Sequence, residues 1–348
     1  MLAVVINPEG FIKYSSVYEG NMADCKTLGD MVERLRLATS SLGKRAIVVM
    51  DAGFATEENT NMLKAKGYDY LCVSRSNLKQ YNVELSHSTV IVTDRKKQEI
   101  ELQFVQTHQK TDFYLRVKSQ AKSMKERSMN RKFKERFEDG LLQIEAGLSK
   151  KGGVKQFDKV HQRIGRLKEK YPSIHKHYNI EVETNSNQVA TSMKWQIKSS
   201  ESIDANNGIY FLQTSLNIND ETTIWTIYNT IREIEYTFRV LKIDLDLRPI
   251  YHKSDQATMA HLNLGLLAYW IVNTIRYQLK QKGIKSEWRE LVRIMNTQKC
   301  VTTVAQNKKQ EIIWIRRCSE PEAKVKQIYD ALNYKYAPFS QKKSVVHK

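Results

Sequence analysis

The stretch AIVVMDAGF, Ala46 to Phe54, sets an apolar run in front of one aspartate, with a glycine two residues further on. A short apolar run bounded by turn signals suits an interior parallel strand, buried on both faces. A carboxylate at its C-terminal tip then stands where α/β proteins place ligand and catalytic groups. Two plainer roles stay open for Asp51: capping a helix that begins near Thr56, or ending the strand in water.

Working outward, LAVVIN and FIKYSSVYEG flank the turn residues Asn7 to Gly10, so residues 2–19 read as a β-hairpin. A helical pattern follows over 24–39, then the Ala46–Met50 strand, a helix around 57–66, and the strand YDYLCVSR at 68–75. This alternation is that of an α/β sheet with parallel neighbours. It stops near residue 80. Short alternating strands fill 88–118 (TVIVTD, EIELQFVQ, DFYLRVK), and strongly basic helices fill 118–170. A second strand-rich stretch occupies 180–216, long helices are expected over 221–242 and 256–282, and the last 60 or so residues hold a strand pair and a lysine-rich tail.

The net charge of +18 over 348 residues draws the chain toward polyanions, nucleic acid ahead of an anionic membrane surface. Its 27% charged and 41% hydrophobic residues are those of a globular protein with a substantial core. Cys25, Cys72, Cys300 and Cys318 form no C-x-x-C pair, which argues against a zinc site or a disulfide framework and suits a reducing cytoplasm. MLAVVINPEG lacks the basic start of a signal peptide. LGLLAYWIV, Leu264 to Val272, is too short to span a bilayer and reads as a buried core helix, so no membrane partner is expected. Phosphate-loop, serine-hydrolase and zinc-protease motifs are absent from the sequence.

The second informative stretch is YNTIREIEYTFRVLK, Tyr228 to Lys242. Tyr228, Glu235 and Lys242 are spaced by seven and share one helical face, with Arg232 at its edge. Ile231, Ile234, Phe238 and Leu241 form an apolar stripe on another side. A solvated face with an Arg–Glu pair is the plain reading. The carboxylate at the upstream strand tip, and the polar segment LDLRPIYHKSD that follows, favour a working site.

Asp51 in VMDAGF, followed far downstream by Tyr228, Glu235 and Lys242, resembles the DDE transposases of bacterial insertion sequences. It resembles in particular the branch named for insertion sequence four, whose glutamate helix carries a Tyr-Arg-Glu-Lys signature. GIYFLQTSL, RPIYH and HLNLGLLAYWIV extend the resemblance over most of the chain. It implies an α/β fold: a ribonuclease H-like domain interrupted by a mixed insertion of strands and basic helices. The implied divisions are 1–80 and 216–285 for the catalytic core, 81–215 for the insertion, and 286–348 for a C-terminal extension. Asp51 and Glu235 would be catalytic metal ligands for Mg²⁺ or Mn²⁺, two ions in the complete enzyme. Tyr228, Arg232 and Lys242 would hold DNA backbone at the transposon end. A homodimer in the synaptic complex on double-stranded DNA and a nucleoid-associated cytoplasmic location also follow from the resemblance.

The chemistry needs these residue types, because hard divalent cations take oxygen ligands and two of them clamp a phosphodiester displacement. Two positions depart from the pattern. The family spacing of three after the tyrosine falls on Ile231 rather than Arg232, a rotation of about 100° on a helix. The family's first aspartate lies on a strand before the hairpin, and Asp24 and Asp30 follow the hairpin instead. The expectation is therefore a truncated copy that lacks its first strand. The alternative is a non-catalytic DNA-binding remnant or competitor of the full transposase. A phosphotransferase using Asp51 as nucleophile would need a lysine and a threonine from other strand ends, and no such set is visible.

Overall fold

The computed structural model describes residues 1–38, 46–75, 78, 82–83, 89–94, 97–106, 112–198, 207–338 and 342–346. The expected element ends at residues 39 and 88 lie outside them. By internal contacts the chain divides into two units, Met1–Lys44 with Asn229–Lys348, and Arg45–Tyr228. The divisions at 80, 215 and 285 remain a proposal about family organisation.

The first unit opens with the expected hairpin, β1 (Leu2–Ile6) paired antiparallel with β2 (Ile12–Val17), then α1 (Leu28–Ala38). Asn7 Oδ1 accepts from Phe11 N–H at 2.8 Å, and Gly10 sits at φ +84°, where an L side chain is strained. A Cβ on Gly10 would come within 3.1 Å of Asn273 Oδ1. Gly10→Ala should therefore cost about 1–3 kcal/mol, seen as a lower melting temperature of the full chain. Gly29, in α1 with open space at its Cβ, is the control. Gly29→Ala should leave stability equal or higher.

The second unit carries β3 (Ile47–Met50), α2 (Glu57–Ala65), β4 (Asp69–Val73), β5 (Asn82–Val83), β6 (Val90–Thr93), β7 (Glu99–Gln106) and β8 (Phe113–Ser119). It continues with the basic helices α3 (Gln120–Ser149) and α4 (Phe157–Lys170), the hairpin β9 (Tyr178–Thr184) and β10 (Ala190–Ile197), then β11 (Ile209–Thr214) and α5 (Glu221–Asn229). The main sheet has the order β3-β4-β11-β8-β7-β5, with β6 also on β7. Among the described strands of this sheet only β3 and β4 run parallel; the other pairs are antiparallel.

This corrects the reading of AIVVM as an interior strand. Among the described strands β3 pairs with β4 alone, and Ile47 is 40% exposed. The interior strand is β4, whose Tyr70, Leu71 and Cys72 are fully buried. An apolar run reports what covers a strand's faces, and edges are settled by pairing further along the chain. Here β11, some 140 residues on, takes the far side of β4. The two basic helices pack on the β9–β10 hairpin through Phe137, Leu141, Val160, Ile164 and Met193.

The chain then returns to the first unit. Where one helix over 221–242 is expected, α5 ends at Asn229, α6 runs Ile231–Arg239, and a π-helical turn spans Val240–Asp244. The long helix α7 (Asp255–Gln281) follows, then α8 (Trp288–Met295). Gly265 lets α7 approach Leu247, since a Cβ there would lie 2.2 Å from Leu247 Cδ1. The core joins Ile12 of the hairpin to Tyr236, Val240 and Leu241, and to Leu262, Leu266, Tyr269 and Val272 of α7. The Tyr269 hydroxyl donates to Gly10 O at 2.8 Å, fixing the hairpin turn on the helix.

α7 is amphipathic rather than buried all round, a second correction. Leu264 and Leu267 are 67% and 61% exposed, and Ile271 lies on the same side. The C-terminal strands β12 (Cys300–Gln306) and β13 (Ile312–Cys318) are the expected pair. Following α9 (Ala323–Leu332), part of the lysine-rich tail adds β14 (Lys342–Val346) as a third strand on β13.

Candidate active site and nucleic-acid interface

Asp51 lies one residue past β3, exposed, at the C-terminal end of the two parallel strands. Its Oδ1 accepts from Ala52 N–H at 2.6 Å. The turn is held from outside: Arg75, just past β4, donates Nε to Ala52 O and Nη2 to Gly53 O, each at 2.6 Å. Helix α2 has its own cap, because Thr56 Oγ1 accepts from Asn59 N–H. The capping role for Asp51 is thereby eliminated. Its carboxylate faces outward from a braced turn.

Other carboxylates of this unit sit elsewhere. Asp69 begins β4 and accepts from Ser215 Oγ at 2.8 Å. Asp112, just before β8, pairs with Lys64 at 3.1 Å and accepts from Gln213 Nε2 at 2.8 Å. Register places both at the sheet end opposite Asp51. Burial, with Asp112 adding to it, pushes the Tyr70 hydroxyl well above its ordinary range.

The end that carries Asp51 also carries the root of the basic helix. β8 runs antiparallel to β11, which runs antiparallel to β4, so β8 finishes at the same end as β3 and feeds directly into α3. Three strand steps separate β3 from β8, roughly 14 Å across the sheet. In the first half of α3, Lys122 pairs with Glu126 and Arg131 with Glu135, while Lys125, Arg127, Lys132 and Arg136 are exposed without an ion pair among the described residues. Burial begins only at Phe137.

In the first unit, Glu235 is exposed on α6 with no hydrogen bond or ion pair among the described residues. Glu233, two residues earlier and so about 200° around the helix, points the other way and is buried. Arg276 of α7 reaches it with Nη1 at 2.8 Å and Nη2 at 3.0 Å, and Lys280 lies 4.0 Å away. Burial opposes the Arg276 charge, and the Glu233 pairing outweighs it, holding the guanidinium above its usual range. The sequence reading missed this pair. Its only local signal was the Glu-x-Glu spacing, which forbids both carboxylates one face.

The buried side of α6 is formed by Glu233, Tyr236 and Thr237 and continues into Val240 and Leu241; Ile231, Ile234 and Phe238 of the expected stripe are half-buried. Arg232 is half-buried, and Lys242 is exposed in the π turn with Nζ 5.1 Å from the Phe238 ring centroid. The contact division falls just after Tyr228, so Tyr228 and Asp51 belong to the second unit and Arg232, Glu235 and Lys242 to the first. The Tyr228 ring leans on Trp225 at 5.9 Å. Asp30 is held by the Tyr18 hydroxyl at 2.6 Å and by Arg34 at 2.7 Å, and these contacts lower its pKa.

No group of three or more His, Cys, Asp or Glu side chains that could hold a metal occurs among the described residues. No described helix is long and apolar enough to cross a membrane. Residues 1–271 match the model of the family described as the transposase DDE domain. No curated protein matches the chain.

Proposed function

The chain belongs to the DDE transposase family, and from that premise we propose that it cleaves and transfers DNA strands at insertion-sequence ends, with Asp51 and Glu235 as metal-holding carboxylates. Transposases of this family use divalent metal ions. Asp51 and Glu235 fit such an ion as exposed carboxylates, the hard oxygen donors that Mg²⁺ or Mn²⁺ takes. Bound there, two ions would supply Lewis-acid stabilisation to attacking and leaving oxygens. The chain's own part is to position. Arg75 braces the turn that presents Asp51, and the buried face of α6 turns Glu235 outward. Tyr228, Arg232 and Lys242 would hold the backbone of the transposon end, as in the Tyr-Arg-Glu-Lys branch, with a second copy completing a synaptic homodimer.

The observation that carries this reading is the shared sheet end, where Asp51 and the root of the exposed basic half of α3 lie together. The direct test is Mg²⁺-dependent nicking of duplex DNA by the purified chain. For the interface, changing Lys125, Arg127, Lys132 and Arg136 together to Gln should flatten the salt dependence of DNA binding. About 0.9 units of log–log slope are expected per lost phosphate contact. An unchanged slope would make this face a solvated surface. A second reading, a non-catalytic DNA binder that competes with a full transposase, rests on the net charge of +18, which draws the chain to nucleic acid with or without cleavage. Salt-dependent binding without nicking would select it.

A further inference from the structure

Cys300 and Cys318 are 18 positions apart in sequence, yet they face each other across β12 and β13. Two backbone bonds fix the type of pair they form. Ser319 N–H donates to Lys299 O at 2.8 Å, and at the other end of the hairpin Asn307 N–H donates to Glu311 O at 3.0 Å. Residues 299 and 307 thus sit at hydrogen-bonded positions, and the alternation of an antiparallel ladder leaves Cys300–Cys318 as a non-hydrogen-bonded pair. Opposed Cα atoms in such pairs are about 4.5 Å apart, within the roughly 4.4–6.8 Å that disulfides span. The two side chains share one face, and both are half-buried thiols. Arg316, two residues before Cys318 on that face, donates Nε to Cys300 Sγ at 3.0 Å. A positive charge therefore stands against the sulfur that would attack as a thiolate.

We propose that Cys300 and Cys318 are a redox-sensitive dithiol that closes to a cross-strand disulfide in the presence of a small-molecule disulfide such as oxidised glutathione. The Cys300 thiolate attacks one glutathione sulfur, forming a mixed disulfide and releasing one glutathione thiolate. The Cys318 thiolate then attacks the Cys300 sulfur and releases the second. Two electrons pass from the protein dithiol to oxidised glutathione, and two reduced glutathione molecules leave with the two protons. The bond would tie the open end of the β12–β13 hairpin and limit fraying of the C-terminal sheet. Cys72 makes a poor competitor, since it is fully buried and burial pushes its thiol up to about 12.

The test is oxidation of the full, pre-reduced chain with oxidised glutathione, followed by thiol counting and non-reducing peptide mapping. Two of the four thiols should disappear without a net gain in mass from bound glutathione. The peptides of Cys300 and Cys318 should be joined, dithiothreitol should separate them, and the oxidised chain should melt at a higher temperature than the reduced one. Cys300→Ser should abolish both the link and the melting shift. Arg316→Gln should slow the first step without changing the end product. Stable glutathione adducts on both cysteines, no reaction at either, or links through Cys25 or between chains would overturn the proposal.

Discussion

Asp51→Asn and Glu235→Gln should each remove strand cleavage while leaving DNA binding in place. Each change keeps side-chain size and deletes the charge that a hard cation needs. The expected loss is about 3–5 kcal/mol of transition-state stabilisation, or roughly a hundredfold to a thousandfold and more in rate. Stability should hardly move, because both side chains are exposed and surface changes usually stay within about 0.5 kcal/mol. Binding should survive because the exposed basic charges of α3 are untouched. The assay is Mg²⁺-dependent nicking, with a binding titration on the same DNA and a Mn²⁺ titration followed by its spin-resonance signal. Both variants should bind Mn²⁺ more weakly than the parent. Nicking at the parent rate by either one would remove that residue from the site.

What the sequence revealed, and what it hid, follows the range of the interactions involved. The first hairpin, α2, the basic helices and the strands of 88–118 are local: turn residues, a cap and hydrophobic period are enough to find them. The edge position of β3 is not local, because it depends on β11 taking the far side of β4 from about 140 residues away. The break at Thr230 and the π turn after Arg239 are also invisible to a seven-residue spacing count, which assumes one continuous helix. Asp51 and Glu235 stood out by the strand-tip position of one and the seven-residue spacing of the other, with a strand end in water and a solvated Arg–Glu pair still open as plain readings. Glu233 did not, since its partner lies 43 residues on, and composition does not reveal which of two neighbouring glutamates turns inward. The facing of Cys300 and Cys318 was hidden for the same reason: a cross-strand pair is set by register and leaves no C-x-x-C mark.

Glu233→Ala should be among the most destabilising single changes in the first unit, at about 3–5 kcal/mol. The carboxylate meets both terminal nitrogens of Arg276, whose guanidinium carbon also lies 4.0 Å from the Tyr236 ring centroid. Glu233 and Arg276 are only 10% and 17% exposed, so little water is available to take over if the glutamate is lost. Its removal leaves a buried positive charge with no carboxylate beside it, and Lys280 adds a like charge nearby. The distance between charges is not what makes the pair matter. Glu290 and Arg293 are closer, at 2.6 Å, but their side chains are 41% and 68% exposed. Glu290→Ala should therefore leave stability close to that of the parent chain. A double change, Glu233→Leu with Arg276→Met, removes both buried charges and keeps apolar volume. It should recover much of the loss, because an ion pair in a poorly hydrated site often contributes little beyond an apolar pair of the same size. Denaturant unfolding of the four chains measures the differences, and hydrogen exchange of the α6 and α7 amides locates them. If Glu233→Ala were as mild as Glu290→Ala, the pair would be solvated, and α6 would be oriented by Tyr236, Thr237, Val240 and Leu241 instead.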